Sequence, residues 1–367
     1  MRELMVNLGE RSYPIRIGSG LLARAGEQLL QAGLSVKSPL LVVSDDAVAP
    51  LYLDGLLEQL RSSGFRAASC IVPAGEPSKS LARFEEIMTK ALEHGLDRKS
   101  AIVALGGGVV GDLAGYAAAS YMRGIRFVQM PTTILAHDSS VGGKVAVNHP
   151  MAKNIIGAFH QPSLVLYDLD TLKTLPRREV SSGLAEVVKH GLIRDATFVD
   201  WCIDNAERLL ALDAEALGYA LYKGCAVKAD IVSSDETEQG VRAILNLGHT
   251  IGHALEAVAG YNELHHGEAI SIGMIGSAML GVQLGAPQEV YLRTREALGK
   301  AGLPVSLPEH FDTDRIMEAM MHDKKFGEGK MVFIVPTAIG EVEIRQDIRQ
   351  QWVRDIVERL KREASWP

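Results

Sequence analysis

The segment Asn246–Glu256, NLGHTIGHALE, carries two histidines four residues apart, His249 and His253. On a helix this spacing puts both imidazoles on one face, about 5–6 Å apart at Cβ, as a pair of metal ligands would be. A catalytic zinc centre takes about three protein ligands and keeps one position open, so other parts of the chain must complete it. Lys228 and Glu238 lie upstream, and Arg242, Asn246, His249 and His253 follow at spacings of 4, 3 and 4, a polar stripe through an otherwise apolar sequence. Downstream, HHGEA supplies His265 and His266. GLAEVVKHG puts Glu186, Lys189 and His190 on a predicted helix among the apolar Leu184, Val187 and Val188. Glu186 and Lys189, three apart, also have the spacing of a surface ion pair. Spacing alone leaves open which of these groups are ligands.

A second set of residues suits an anion. ALGGGVVGDLAG contains G-x-G-x-x-G at Gly106, Gly108 and Gly111, directly after a strand pattern. Glycines there let backbone approach a pyrophosphate, and a helix N-terminus favours its negative charge. The usual fingerprint places a ribose-binding acid about 20 residues on, yet no Asp or Glu lies between Asp112 and Asp138. Asp45, at the end of an earlier strand pattern, is the substitute; it also suits a helix N-cap. DSSVGGKVAVNHPMAKN gathers Asp138, Lys144, Lys153 and Asn154 around a Gly-Gly turn. That mixture fits either a polyhydroxylated, anionic ligand or a solvated surface loop.

These residues need a scaffold. PLLVVSD (39–45), FRAASCIVPAGE, AIVALGGG (101–108) and RFVQMPTT are strand patterns separated by helical ones such as Ser80–Gly95, and LMVNLG and YPIRIG flank a turn at Glu10–Ser12. Alternation of this kind predicts a mostly parallel sheet covered on both faces, with ligands at the strands' carboxyl ends. Those ends carry Asp45, Glu76, Gly106–Asp112 and Thr132–Thr133. From about Leu175 the pattern becomes helical, with a late hairpin in MVFIVPTAIGEVEI. Ala269–Ala286 has no charged residue and reads as a buried core helix rather than a membrane span. With 47% hydrophobic and 23% charged residues and a net charge of −7, the composition is globular and argues against non-specific nucleic-acid binding. Cys70, Cys202 and Cys225 lack any C-x-x-C spacing and read as free thiols of a reducing cytosol. The N-terminus shows no signal-peptide pattern, so a cytoplasmic location is expected.

In order along nearly the whole chain, GGGVVGDLAG, RGIRFVQMPTT, DSSVGGKVAVN, KNIIGAF, SGLAEVVKHG, LNLGHTIGHALE, HGEA and DKK resemble the 3-dehydroquinate synthase family of sugar phosphate cyclases. Many members carry Gln-Val before the Asp of the D-S-S motif, where this chain has only His137. The resemblance implies an α/β, Rossmann-like NAD-binding domain over residues 1–174 and a mainly α-helical metal- and substrate-binding domain over 175–367. It implies conversion of 3-deoxy-D-arabino-heptulosonate 7-phosphate to 3-dehydroquinate and phosphate, by transient oxidation by NAD, β-elimination of phosphate, reduction and intramolecular aldol closure. Its Zn or Co ion would be held by Glu186, His249 and His266, with His253 lining the substrate site and His265 a bystander. Gly107, Gly108, Asp112, Thr132 and Thr133 would line the pyrophosphate and nicotinamide, and Asp45, Glu76 and Lys79 the adenosine end, with further contacts from Lys153, Thr174 and Glu179. Lys144, Asn154, Arg123 and Lys324 or Lys325 would hold the phosphate, Arg123 reaching across a homodimer. Asp138, Lys189, Lys228, Glu238, Arg242, Asn246 and His253 would serve the carboxylate, the hydroxyls and proton movement. Related readings are another sugar phosphate cyclase, such as 2-deoxy-scyllo-inosose synthase, and a metal-dependent polyol phosphate dehydrogenase.

Overall fold

The computed structural model describes residues 1–260, 263–323 and 331–362. The chain forms two compact units, one of Met1–Leu175 with Leu217–Thr237 and the other of Pro176–Ala216 with Glu238–Pro367. The sequence boundary at 174/175 put everything beyond it in the helical domain; by packing, Leu217–Thr237 groups with the first unit.

The first unit is built on strands β1 (Arg2–Val6), β2 (Tyr13–Gly18), β3 (Leu40–Asp45), β4 (Ala67–Val72), β5 (Ala101–Gly106), β6 (Arg126–Pro131) and β9 (Leu164–Asp168). They form a seven-stranded sheet in the order β1-β2-β9-β6-β5-β3-β4. The β1–β2 pair is antiparallel and the other pairings are parallel. Strands β5 and β9 are buried at every residue, which explains their unbroken apolar runs. Alternate residues serve the two faces. Leu40, Val42, Val103, Leu105 and Val128 pack with helices α1 (Ala25–Gln31) and α2 (Ala49–Ser62). Leu41, Val43, Ile102, Ala104 and Phe127 pack with α3 (Leu81–Glu93) and α4 (Gly108–Ser120). Each of these side chains larger than alanine contributes about 1.5–3 kcal/mol on burial, so the carboxyl ends of β3, β5 and β6 sit on a rigid platform.

The segment 138–159 departs from a plain surface loop. After the short α5 (Ala136–Ser139) the chain makes an antiparallel pair of β7 (Lys144–His149) and β8 (Ala152–Phe159). The alternation in KVAVN drives it: Val145 and Val147 are buried against the α3–α4 layer.

The second unit holds α6 (Arg177–Arg194), α7 (Ala196–Asp204), α8 (Ala206–Leu210), α10 (His249–Val258), α11 (His266–Gln283), α12 (Gln288–Lys300), α13 (Thr313–Asp323) and α14 (Gln350–Arg362), with a hairpin of β10 (Phe333–Ala338) and β11 (Glu341–Arg345). Helix α9 (Ala214–Ser234) begins in this unit and continues into the first. Helix α11 is buried almost along its length and contacts α6, α10, α12, α14 and β10, as expected of a helix apolar on all sides. Among the described residues no helix is long and apolar enough to cross a membrane.

The polar stripe Arg242–Asn246–His249–His253 is not one helical face. Val241–Asn246 is a 3₁₀ turn, and the chain then breaks at Gly248, whose φ is +80°. A β-carbon there would lie 2.6 Å from Met274 Cγ and 2.7 Å from the Ile270 carbonyl oxygen, so only glycine lets this turn press against α11. As a result Arg242 is buried while Asn246 is exposed.

Candidate active site

In the second unit, helix α6 is buried from Val180 to Ile193, and its Glu186 and Lys189 form an ion pair, each about 1% exposed. The pair is therefore internal rather than on the surface. Two histidines from other elements meet the same carboxylate: Glu186 Oε1 lies 3.5 Å from His249 Nε2 and 3.3 Å from His266 Nε2. The opposite edges of both rings face acceptors. His249 Nδ1 is 3.1 Å from the Leu247 carbonyl oxygen, and His266 Nδ1 is 3.3 Å from Glu256 Oε2. Donation from each Nδ1–H leaves both Nε2 lone pairs turned toward a carboxylate oxygen, and converging acceptors of this kind call for a cation between them. Ligand atoms of Glu186, His249 and His266 lie within 4.8 Å of one another. Burial alone would lower the pKa of His266, but hydrogen bonds and charge from Glu186 and Glu256 outweigh it and push the pKa up to about 10. Burial and the Lys189 charge outweigh Glu186 at His249 and lower its pKa.

The start of α11 is secured by charge. Glu268 Oε2 accepts the His265 N–H at 2.8 Å, and Arg178 grips the same carboxylate with two bonds of 2.6 Å. His265 itself turns to Glu179, Nδ1 to Oε1 at 3.2 Å. His253 is exposed, its ring 5.1 Å from that of His249. Asn246 Nδ2 donates to Glu238 Oε1 at 3.2 Å. Lys324 and Lys325 lie outside the described residues.

In the first unit, β5 leads through Gly107 into α4, whose first N–H groups and dipole are suited to an anion. A β-carbon on Gly107 would come within 3.1 Å of Thr133 Cγ2, so the turn lies tight against the end of β6. There Thr132 donates its N–H to the Gly106 carbonyl oxygen at 3.0 Å, and its buried Oγ1 has no hydrogen-bond partner among the described residues. Beside them Lys79, 5% exposed, donates to Asp112 Oδ2 at 2.6 Å and to Asn154 Oδ1. Burial outweighs the Lys79 charge and raises the pKa of Asp112. Asn154, at φ +55°, donates its N–H to Asn148 Oδ1 at 2.8 Å, and Asn148 Nδ2 donates to Glu76 Oε1 at 2.8 Å. Lys153 Nζ is 3.9 Å from the same Glu76 oxygen. Lys228 Nζ donates to Asp138 twice, to the carbonyl oxygen at 2.6 Å and to Oδ2 at 2.8 Å. Asp45 Oδ1 accepts from Ala47 and Val48 at 3.0 and 2.8 Å, closing a local turn after β3; it does not cap α2, whose N-cap is Val48 with no side-chain hydrogen bond. Thr174 Oγ1 pairs with the Tyr52 hydroxyl at 2.6 Å. Lys144 and Arg123 are exposed, and Arg123 (φ 69°) follows Met122 (φ 49°) in a left-handed turn.

Two contributors escaped the sequence reading. Glu256 lies seven residues after His249 and three after His253, hence on the same face of α10, and that spacing was available as a signal. Asn148 sits in VNHPMAKN and passes there for a turn residue. The three thiols are free and buried; burial pushes Cys202 and Cys225 up to about 12 and Cys70 up to about 11, so they are inert.

A parallel α/β unit with a glycine-rich strand-to-helix turn and a helical unit with a Glu/His/His centre describe a two-unit protein with a candidate nucleotide turn and a candidate metal centre. The 3-dehydroquinate synthase N-terminal family pattern matches residues 69–182 and the C-terminal one residues 183–326. A 3-dehydroquinate synthase of Desulforamulus reducens is 48% identical over 352 residues, covering 95% of this chain and 98% of that protein. Among solved structures, 2-epi-5-epi-valiolone synthase from Streptomyces hygroscopicus with NAD⁺ and Zn²⁺ bound has 28% identity and a TM-score of 0.87, covering 97% of this chain and 98% of that one. A 2-deoxy-scyllo-inosose synthase complexed with carbaglucose-6-phosphate, NAD⁺ and Co²⁺ has 26% identity and a TM-score of 0.89, covering 98% and 99%. The chain belongs to the 3-dehydroquinate synthase family.

Proposed function

We propose that this chain catalyses the reaction of its family, turning 3-deoxy-D-arabino-heptulosonate 7-phosphate into 3-dehydroquinate and phosphate with no net redox change. The observation that carries the reading is the convergence of His249 and His266 on Glu186 in a chain related over nearly its full length to 3-dehydroquinate synthases. A nitrogen, nitrogen, carboxylate donor set suits Zn²⁺ or Co²⁺. The tight Gly107 turn, the α4 N-terminus and the buried Thr132 hydroxyl suit a dinucleotide's pyrophosphate. When bound, NAD supplies a hydride acceptor regenerated within each turnover, and the divalent ion a Lewis acid for adjacent hydroxyl oxygens.

Glu186, His249 and His266 would hold the ion. Gly107, Gly108, Asp112, Thr132, Thr133, Lys79, Glu76 and Asp45 would hold the dinucleotide, with Lys153, Thr174 and Glu179 contributing. Lys144 and Asn154 would hold the phosphate, with Arg123 reaching across a homodimer; the lysine and arginine would supply charge. On the second unit, the guanidinium of Arg242 and the ammonium of Lys189 supply positive charge that suits a carboxylate and hydroxyls. Asp138 and Lys228 orient one another through their two hydrogen bonds, ready to hold a further hydroxyl. His253, exposed beside His249, and Asn246, held by Glu238, move the proton at the C5 hydroxyl through an ordered water. A His253→Ala enzyme would lose about 10²-fold in turnover, the low end for a positioned acid–base group; full turnover would overturn that role.

We also assign a homodimer and a cytoplasmic location. Strand β8 exposes Ile155 and Phe159, apolar side chains suited to contact with a second copy, and the buried free thiols suit a reducing compartment. Light scattering of the purified protein tests the dimer. The decisive assay supplies the heptulosonate phosphate, Zn²⁺ and a trace of NAD⁺, and follows phosphate and NADH absorbance together. Many phosphates per NAD⁺ without NADH build-up supports the cyclase. NADH rising in step with substrate loss would make it a dehydrogenase, and turnover of hexose 6-phosphates instead would make it another cyclase.

A further inference from the structure

We propose that Glu256 is a positioning residue of the metal centre: it holds the Nδ1–H of His266, fixes the ring with Nε2 toward Glu186, and strengthens that nitrogen as a ligand. The inference rests on reading Glu186, His249 and His266 as ligands of one divalent ion.

His266 is strung between two carboxylates. Its Nδ1 is 3.3 Å from Glu256 Oε2 and its Nε2 is 3.3 Å from Glu186 Oε1. The two nitrogens lie on opposite edges of the ring, so an ion facing Nε2 and Glu186 is approached by Glu256 only through the imidazole. His249 is backed differently, its Nδ1 facing the neutral Leu247 carbonyl. The centre thus pairs one carbonyl-backed histidine with one carboxylate-backed histidine. A carboxylate behind a ligating imidazole fixes its tautomer and raises its basicity, and the added negative charge attracts a divalent ion.

The fold is built to keep this contact. Glu256 is 9% exposed and stands on α10, the helix that begins with His249, whereas His266 begins α11. The helices are pressed together where Gly252 meets Ile270: a β-carbon on Gly252 would lie 3.0 Å from Ile270 Cγ2 and 3.1 Å from its Cα. Glu268 and Arg178 hold the other side of the α11 start. Neither helix can rotate to release Glu256 without breaking these contacts.

The test uses the full chain stripped of metal, zinc alone as the probe, and competition against a chromophoric chelator. Four proteins are compared: unsubstituted, Glu256→Gln, His266→Ala and the double variant. Glu256→Gln is expected to bind zinc about 10- to 100-fold more weakly, the usual effect of losing such a partner, with unchanged near-ultraviolet circular dichroism in chelator. Acting through His266, it should change zinc affinity less than about twofold in the His266→Ala background. An affinity unchanged in the single variant, an equal loss in both backgrounds, or loss of the folded signal in chelator would each overturn the proposal. Failure of the unsubstituted protein to bind zinc would remove the metal-centre reading and this inference together, whereas unchanged affinity in Glu256→Gln removes the inference alone.

Discussion

Replacing Glu186 by Gln separates two duties that one carboxylate performs. The isosteric change leaves the shape of α6 intact but removes the anion that faces Lys189, His249 and His266. Lys189 is 1% exposed, and removing one member of a buried ion pair costs about 3–5 kcal/mol, because the other is left in a low-dielectric interior. At about 2–4 °C per kcal/mol for a cooperative unit of this size, the thermal midpoint should fall by roughly 6–20 °C. Metal loss must be kept out of that figure, so unfolding is measured in chelator for both proteins. The second duty is ligation. Losing the only anionic member of the set should weaken zinc binding by more than about 100-fold, beyond what loss of an outer partner costs. The variant Glu186→Gln/Lys189→Met distinguishes the duties, because replacing both members of the ion pair by groups of similar shape removes the buried charge along with its counter-ion. It should recover most of the thermal midpoint and none of the zinc affinity. A single variant whose chelator-treated midpoint matches the unsubstituted protein would refute the stability argument, and one that purifies with stoichiometric zinc would remove Glu186 from the ligand set.

Gly273→Ala would drive a methyl group into the Gly248 carbonyl oxygen, a backbone atom that cannot step aside. It should cost at least about 1–3 kcal/mol in urea unfolding and loosen zinc binding by shifting α10 against α11. Lys79→Met removes the ammonium facing Asp112 and Asn154; NAD⁺ affinity by calorimetry should drop about tenfold, or about 1.4 kcal/mol. In metal-free protein the His266 pKa rises from its ordinary 6.5 to about 10. A raised folded-state pKa means its stabilising contribution is complete below about 6.5 and is lost as pH climbs through about 10. The chelator-treated thermal midpoint should therefore fall across that window, and the fall should be absent in His266→Ala; a flat profile in the unsubstituted protein would contradict the assigned contacts.

Local order was written plainly in the chain. Buried strands such as AIVALG and LVLYD are unbroken apolar runs, and α11 is apolar on every side, because each is buried all round. The helical pattern Ser80–Gly95 is realised as α3, and Ser80 caps it by accepting the Arg83 N–H. The late hairpin also follows its alternation. Where the reading missed, a non-local contact had outweighed local spacing. The 4, 3, 4 polar stripe breaks at Gly248 because α11 presses against that turn, and KVAVN pairs as a strand because its valines meet the α3–α4 layer.

The sequence by itself determined the element types, the glycine turn and the family motifs, since these rest on short-range periodicity and on residues a few positions apart. It did not determine that Glu186 and Lys189 are internal, that His265 turns to Glu179 while His266 turns to Glu186, or that Glu256 stands behind His266. Those outcomes were decided by tertiary structure, because His266 and Glu186 are 80 residues apart in the chain, and only the packing of α6, α10 and α11 fixes which nitrogen faces which oxygen.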